Sequence, residues 1–274
     1  MLIDTHCHLD AAEFNDDRDE VALSAKNAGL QMIVVPAVEP KNFQNVIDLS
    51  HQYAYCCYAL GMHPLYVDNA GPSQIKALSS LVEQTLLGEN KLVAIGEIGL
   101  DFFVSQQNQQ ENRETQEYFF SEQLNIAKKF DLPVILHVRR AIDEVLKHLR
   151  RTKVQGGIAH AFNGSSQQAH EFIKLGFKLG FGGAMTYTRA HKIRELAKTL
   201  PLDSIVLETD APDIPPEWLG TKGRNQPKEL IKIAQVLADL RGIPITQIIE
   251  ITSKNSMEIL PKITALCTPL EVLH

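Results

Sequence analysis

The sequence predicts an α/β fold, a single-domain (β/α)8 TIM barrel, on two observations. Short apolar runs that do not alternate, as strands buried on both faces do not, interleave with helix-like stretches along the whole chain. The polar residues best suited to chemistry then fall at the carboxyl ends of those runs, where such barrels carry their sites. At 274 residues and 44% hydrophobic, the chain is long and apolar enough for one such core. The barrel is expected over residues 1–260, with 261–274 a C-terminal tail to which the pattern assigns no element.

The first run, Leu2 and Ile3, ends in His6-Cys7-His8. Alternate residues of a strand share a face, so the two imidazoles project together and Cys7 points away, toward the surrounding helices. Asp16 to Ala28 reads as a helix stopped by Gly29, Met32 to Val38 as the second strand, and Asn42 to Gln52 as a helix. Tyr55 to Gly61 is the third strand and runs into Met62-His63-Pro64; Ser73 to Leu87 is helical. Leu92 to Ile98 is the fourth strand, followed by Gly99-Leu100-Asp101, a polar loop over Ser105 to Asn112 and a helix around Glu114 to Phe130. Strand five is Pro133 to Val138 with a helix over Ala141 to Arg151; strand six is Gly157 to Ala161 with a helix over Ser165 to Leu175. Lys178 to Phe181 carries the weakest strand pattern, and Arg189, His191, Lys192 and Arg194 read as a solvated helix face. Ser204 to Leu207 is the eighth strand, ending in Glu208-Thr209-Asp210. Pro212 to Asn225 reads as a long loop over the site, and helices over Pro227 to Arg241 and Thr246 to Leu260 complete the pattern.

The formal net charge of −6 argues against a broad surface that coats nucleic acid, though not against a pocket that takes one strand end. Cys7, Cys56, Cys57 and Cys267 form no C-x-x-C, so neither a zinc ribbon nor a disulfide framework is predicted. No basic leader and no apolar run of membrane-spanning length is present, so a soluble, cytoplasmic protein without a membrane or an obligate protein partner is expected.

Six strand-end residues stand out: His6, His8, Glu97, His137, His160 and Asp210. Scattered core histidines account for one or two of these, not for the set. Four imidazoles and two carboxylates exceed one tetrahedral site. They suit two divalent ions sharing a bridging carboxylate and a bridging water, which would polarise an electrophile and lower the water's pKa. Nitrogen and oxygen donors without thiolate fit Zn, Mn, Co, Ni or Mg. Asp210 is the candidate base for the water, since a carboxylate at such a centre can ligate and take a proton. His63 is open to a substrate contact or a plain turn, and Arg139 to phosphate binding or a salt bridge. Glu208 is open to a substrate role, to holding a ligand or to a buried structural one. For Asp101, loop stabilisation is favoured over orienting a ligand.

Seven motifs occur in order: T-H-C-H-L-D (5–10), G-M-H-P (61–64), G-E-I-G-L-D (96–101), L-P-V-I-L-H-V-R (132–139), H-A-F-N-G (160–164), L-E-T-D-A-P (207–212) and R-N-Q-P (224–227). Together they resemble the TatD family of metal-dependent hydrolases, with the YjjV-like branch the nearest match. The resemblance implies a barrel of the metallo-dependent hydrolase type with two divalent ions. His6, His8 and Asp210 would hold one, His137 and His160 the other, and Glu97 would bridge. It also implies a deoxyribonuclease acting from the 3′ end, with a nucleic-acid end or another phosphodiester as substrate. Two positions depart from the family pattern: Ala161 replaces a cysteine, and Asp213 replaces an aromatic in a loop that would line the pocket. An ester or amide hydrolase on the same site, such as a D-aminoacyl-tRNA deacylase, is the alternative. A non-enzymatic metal-binding protein would require the loss of a ligand position, and all six are present.

Overall fold

In the computed structural model, which describes all residues except 69, 89, 104–108 and 268–274, eight parallel strands run in the order β1 to β8. They are β1 (Leu2–Asp4), β2 (Leu30–Pro36), β3 (Cys56–Leu60), β4 (Leu92–Asp101), β5 (Val134–Arg139), β6 (Gly157–Ala159), β7 (Phe177–Phe181) and β8 (Ile205–Leu207). Backbone bonds Thr5 N–H to Leu207 O (3.1 Å) and Asp210 N–H to His6 O (2.8 Å) join the last strand to the first. The chain is a (β/α)8 barrel.

Helices α1 (Arg18–Asn27), α2 (Phe43–Gln52), α3 (Pro72–Leu86), α4 (Gln109–Lys129), α5 (Ile142–Arg151), α6 (Ser166–Lys174) and α7 (His191–Thr199) connect successive strands. After β8 come α8 (Leu230–Arg241) and α9 (Ile245–Ile259). The outward-facing strand residues and the inner helix faces form one large core that includes Cys7, Ile33, Val35, Phe120 and Phe172. A second core fills the barrel, from Ile3, Met32, Val34, Cys57, Ile135, Ile158 and Val206. Its amino-terminal end is sealed by Ile259 and Leu260 and by Ile263 of a last helix, α10 (Lys262–Cys267).

Three elements differ from the sequence reading. β1 ends at Asp4, before both histidines, because the backbone beyond it bonds to two different partners: Cys7 N–H to Val34 O and His8 N–H to Ala211 O. The stretch from 261, read as a tail, carries α10, whose Ile263 is wholly buried in the barrel floor. Most of the polar loop expected at Ser105 to Asn112 lies outside the described residues, and α4 begins at Gln109, earlier than expected. Among the described residues, no helix is long and apolar enough to cross a membrane.

Candidate metal centre at the carboxyl end of the barrel

Glu97 lies at the middle of the site because β4 is irregular there. Ile95 pairs with Val134 and Ile98 with Leu136, so three residues of β4 span two of β5 and the strand is locally re-aimed. The buried Glu97 carboxylate then presents its two oxygens to two donor sets. Oε2 lies 3.3 Å from His6 Nε2 and 3.5 Å from His8 Nε2. Oε1 lies 3.0 Å from His137 Nδ1 and 3.6 Å from both His160 Nε2 and His63 Nε2. Asp210 adds Oδ1 on the first side, 3.6 Å from His6 Nε2 and 3.7 Å from His8 Nε2. His6, His160 and Asp210 also bring ligating atoms within 4.8 Å of one another, so the two sides are contiguous.

Outer carboxylates brace two of the histidines. Asp101 Oδ2 is 3.0 Å from His137 Nε2, while its Oδ1 accepts the Phe103 N–H at 2.9 Å. The ligand-orienting geometry, set second in the sequence reading, is therefore present together with the loop contact. Gly99 permits the approach: its φ is 147°, and a Cβ there would stand 1.9 Å from His137 O. Glu208 is 1% exposed. Its Oε1 lies 3.4 Å from His160 Nδ1 and accepts the Ala161 N–H at 2.6 Å. That carboxylate is turned toward the histidine, the ligand-holding geometry among the readings left open for it.

One supporting residue escaped the sequence reading. Asp4 is fully buried and accepts from Thr209 N–H (2.9 Å), Thr209 Oγ1–H (2.6 Å) and His6 N–H (3.3 Å), tying both ligand-bearing loops together. The acidic residue two before His6 and the threonine before Asp210 were the available signals. Asn225 does similar work for the long loop, donating from Nδ2 to Thr209 O, Asp213 O and Ile214 O. Asp213, the departure read in that loop, is exposed.

Burial and mutual charge sort the imidazoles. Burial, with help from neighbouring His160, pushes His6 well below its ordinary range, and burial brings His63 down to about 3. Burial works in the same direction on His8 and His160, but acidic neighbours overcome it. Glu97 and Asp210 lift His8 to about 9; Asp210, Glu208 and Glu97 lift His160 to about 10. Burial alone would raise Glu97, yet His63, His6 and His137 hold it well below the usual carboxylate range. Burial keeps Asp210 up at about 6 against the pull of His160 and His8. The anionic groups thus draw protons onto His8 and His160, and a divalent cation would answer the same field. Buried imidazole nitrogens and carboxylate oxygens that converge without a lysine or arginine among them are the donor chemistry of a divalent-metal centre.

His63 differs from the others. Its Nδ1 accepts the Leu65 N–H at 3.2 Å, so the neutral ring carries its proton on Nε2 and offers a donor, not a lone pair, toward Glu97. Arg139 and Arg140 are exposed at the end of β5, both over the Phe103 ring.

The family described as TatD related DNase matches residues 3–261. The chain belongs to the TatD family. YjjV of Escherichia coli K12, described as an uncharacterised metal-dependent hydrolase, is 40% identical over 257 residues, 93% of this chain and 96% of that protein. Human deoxyribonuclease TATDN3 is 32% identical over 266 residues, covering 96% and 95%. The crystal structure of E. coli YjjV, described as a TatD homologue, superposes with a TM-score of 0.87 over 95% of this chain and 98% of that one. An organophosphorus hydrolase from Deinococcus radiodurans, at 14% identity and a TM-score of 0.64, shares the fold. This chain is a metal-dependent hydrolase of that family, with candidate ligands in His6, His8, Glu97, His137, His160 and Asp210.

Proposed function

We propose that the protein is a phosphodiesterase that shortens DNA from its 3′ end. The observation that carries the reading is the two-sided Glu97 carboxylate, with histidines on each oxygen. His6, His8 and Asp210 would hold one divalent ion and His137 and His160 a second, with Glu97 between them. Such a pair, when bound, supplies Lewis acidity toward a phosphoryl oxygen and a lowered pKa for the attacking water. Human TATDN3, named a deoxyribonuclease, supports a nucleic-acid substrate.

The protein's own groups divide the remaining work. Asp210, at the carboxyl end of β8 with its Oδ1 beside His6 and His8, would accept the proton of the attacking water. Neutral His63 keeps its Nε2–H for a substrate oxygen, because a ring held near 3 does not act as a proton donor by ionising. Asp101 and Glu208 fix the rotation of His137 and His160.

Two measurements test this. Protein stripped with chelator is reloaded with Mg, Mn, Zn, Co or Ni and offered end-labelled single-stranded DNA, a generic phosphodiester and a D-aminoacyl-tRNA. Stepwise loss from the 3′ end supports the reading; turnover of the acyl ester alone overturns the substrate. Calorimetry of metal binding in two buffers then reads proton release. His8 and His160, up at about 9 and 10, must lose protons to ligate, so affinity should rise with pH across the neutral range. Binding without proton release would remove these two from the ligand set.

A further inference from the structure

Beside the metal centre lies a pair of cations that the chemistry above does not use. The guanidinium carbons of Arg139 and Arg140 stand 3.7 and 4.5 Å from the centre of one ring, Phe103. Neither side chain forms a hydrogen bond or ion pair among the described residues, whereas Arg18, Arg224 and Arg241 all donate to protein acceptors. Phe103 is 43% exposed, so the ring is an open ledge and not part of the core. Arg140 also holds a left-handed backbone at φ 54°, a conformation unfavourable for a non-glycine residue. Strain of that kind persists where the surrounding structure needs the residue so placed.

The ledge is braced to the centre. Phe103 N–H is held by Asp101 Oδ1, whose other oxygen meets His137 Nε2. Arg139 follows His137 by two residues on β5, so it shares that side of the strand about 7 Å further along. Stacked guanidinium groups keep their donor edges free, and those edges match phosphate oxygens. In a chain of net charge −6, two adjacent guanidinium groups without a hydrogen-bonded acid supply positive charge beside the acidic centre, where Asp101 is the carboxylate near Arg139.

We infer that Arg139 and Arg140, stacked on Phe103, grip the phosphate one nucleotide inward from the scissile bond of a single-stranded nucleic acid. The inference rests on the phosphodiester reading and adds the chain-length preference it lacks. A substrate with a second phosphate gains this contact, and one with a single phosphate does not.

The test compares metal-loaded wild-type protein with R139Q/R140Q on a dinucleotide, a trinucleotide, and a trinucleotide whose inner linkage is an uncharged methylphosphonate. For wild type, kcat/KM for the trinucleotide should exceed that of the other two about tenfold. In the double variant the three should converge. F103L, which removes the shared ring, should give a smaller loss of the same preference. Equal losses on all three substrates, or an undiminished preference in the double variant, would overturn the clamp. Should no nucleotide be cleaved, the phosphodiester reading fails on its own. The clamp is then judged by anisotropy with the same labelled trinucleotides, where loss of the inner charge must weaken binding to wild type about tenfold and leave the variant unaffected.

Discussion

The two ends of the barrel are built from the same strands and differ by one step along them. Ile135, Ile158 and Val206 fill the closed end with apolar side chains. Two residues later on the same strand faces stand His137, His160 and Glu208. The closed end is apolar and capped by α9 and α10; the open end holds imidazoles and carboxylates. Buried charge disfavours folding unless it is paired, so the open end contributes little stability of its own. Apolar burial below it supplies the stability that allows reactive groups to be held close together above.

The contrast predicts that changes at the two ends separate activity from stability. The largest effect is expected from E97Q, which keeps the shape of the central carboxylate and removes its charge. Metal content should fall and turnover drop by more than the about 100-fold typical of outer partners, while circular dichroism retains the barrel. A variant with full metal and full turnover would break the assignment of the centre. L260A addresses the opposite end. Removing that wholly buried side chain should cost about 2–5 kcal/mol. In thermal unfolding that is a fall of roughly 4–10 °C at about 2 °C per kcal/mol, with turnover at 25 °C kept. Lost turnover at unchanged Tm would mean that the two ends are not separable.

D101N sharpens the comparison within the open end. One carboxylate oxygen accepts the Phe103 N–H, so an amide placed there must turn its NH2 toward His137 Nε2 and set donor against donor. Metal affinity or activity should fall about 10–100-fold. A smaller loss would return Asp101 to the loop-stabilising role first favoured for it.

What was legible in the sequence follows the same division. Apolar runs buried on both faces announce a parallel barrel, and functional groups at their carboxyl ends follow from where such barrels open. His6, His8, Glu97, His137, His160 and Asp210 could therefore be gathered before any coordinates, and the structure brings all six together. The partners of Asp101 and Glu208 could not. They depend on strand register, the Gly99–His137 pairing and the irregular step from Ile95 to Ile98, which no local pattern encodes. The seal by α10 was equally hidden. Its few apolar residues form a helix only because the barrel floor is there to bury Ile263, and so short a helix is not stable alone.

The smallest effect is expected at Ala161, one of the two positions where the sequence reading finds a departure from the family pattern. Its contribution to the centre is a backbone one, the N–H that meets Glu208 Oε1. The side chain therefore matters little to His160, which explains how the ligand set tolerates the change. The backbone, however, sits at φ 44°, where a Cβ costs about 1–2 kcal/mol. A161G removes that penalty and adds back about 0.5–1 kcal/mol of unfolded-state freedom, leaving a gain of up to about 1.5 kcal/mol. Chemical unfolding should show this modest stabilisation with turnover within about twofold of wild type. A large loss of turnover instead would mean that the restricted backbone at Ala161 is what holds Glu208 against His160, and the open end would then depend on strain as well as on charge.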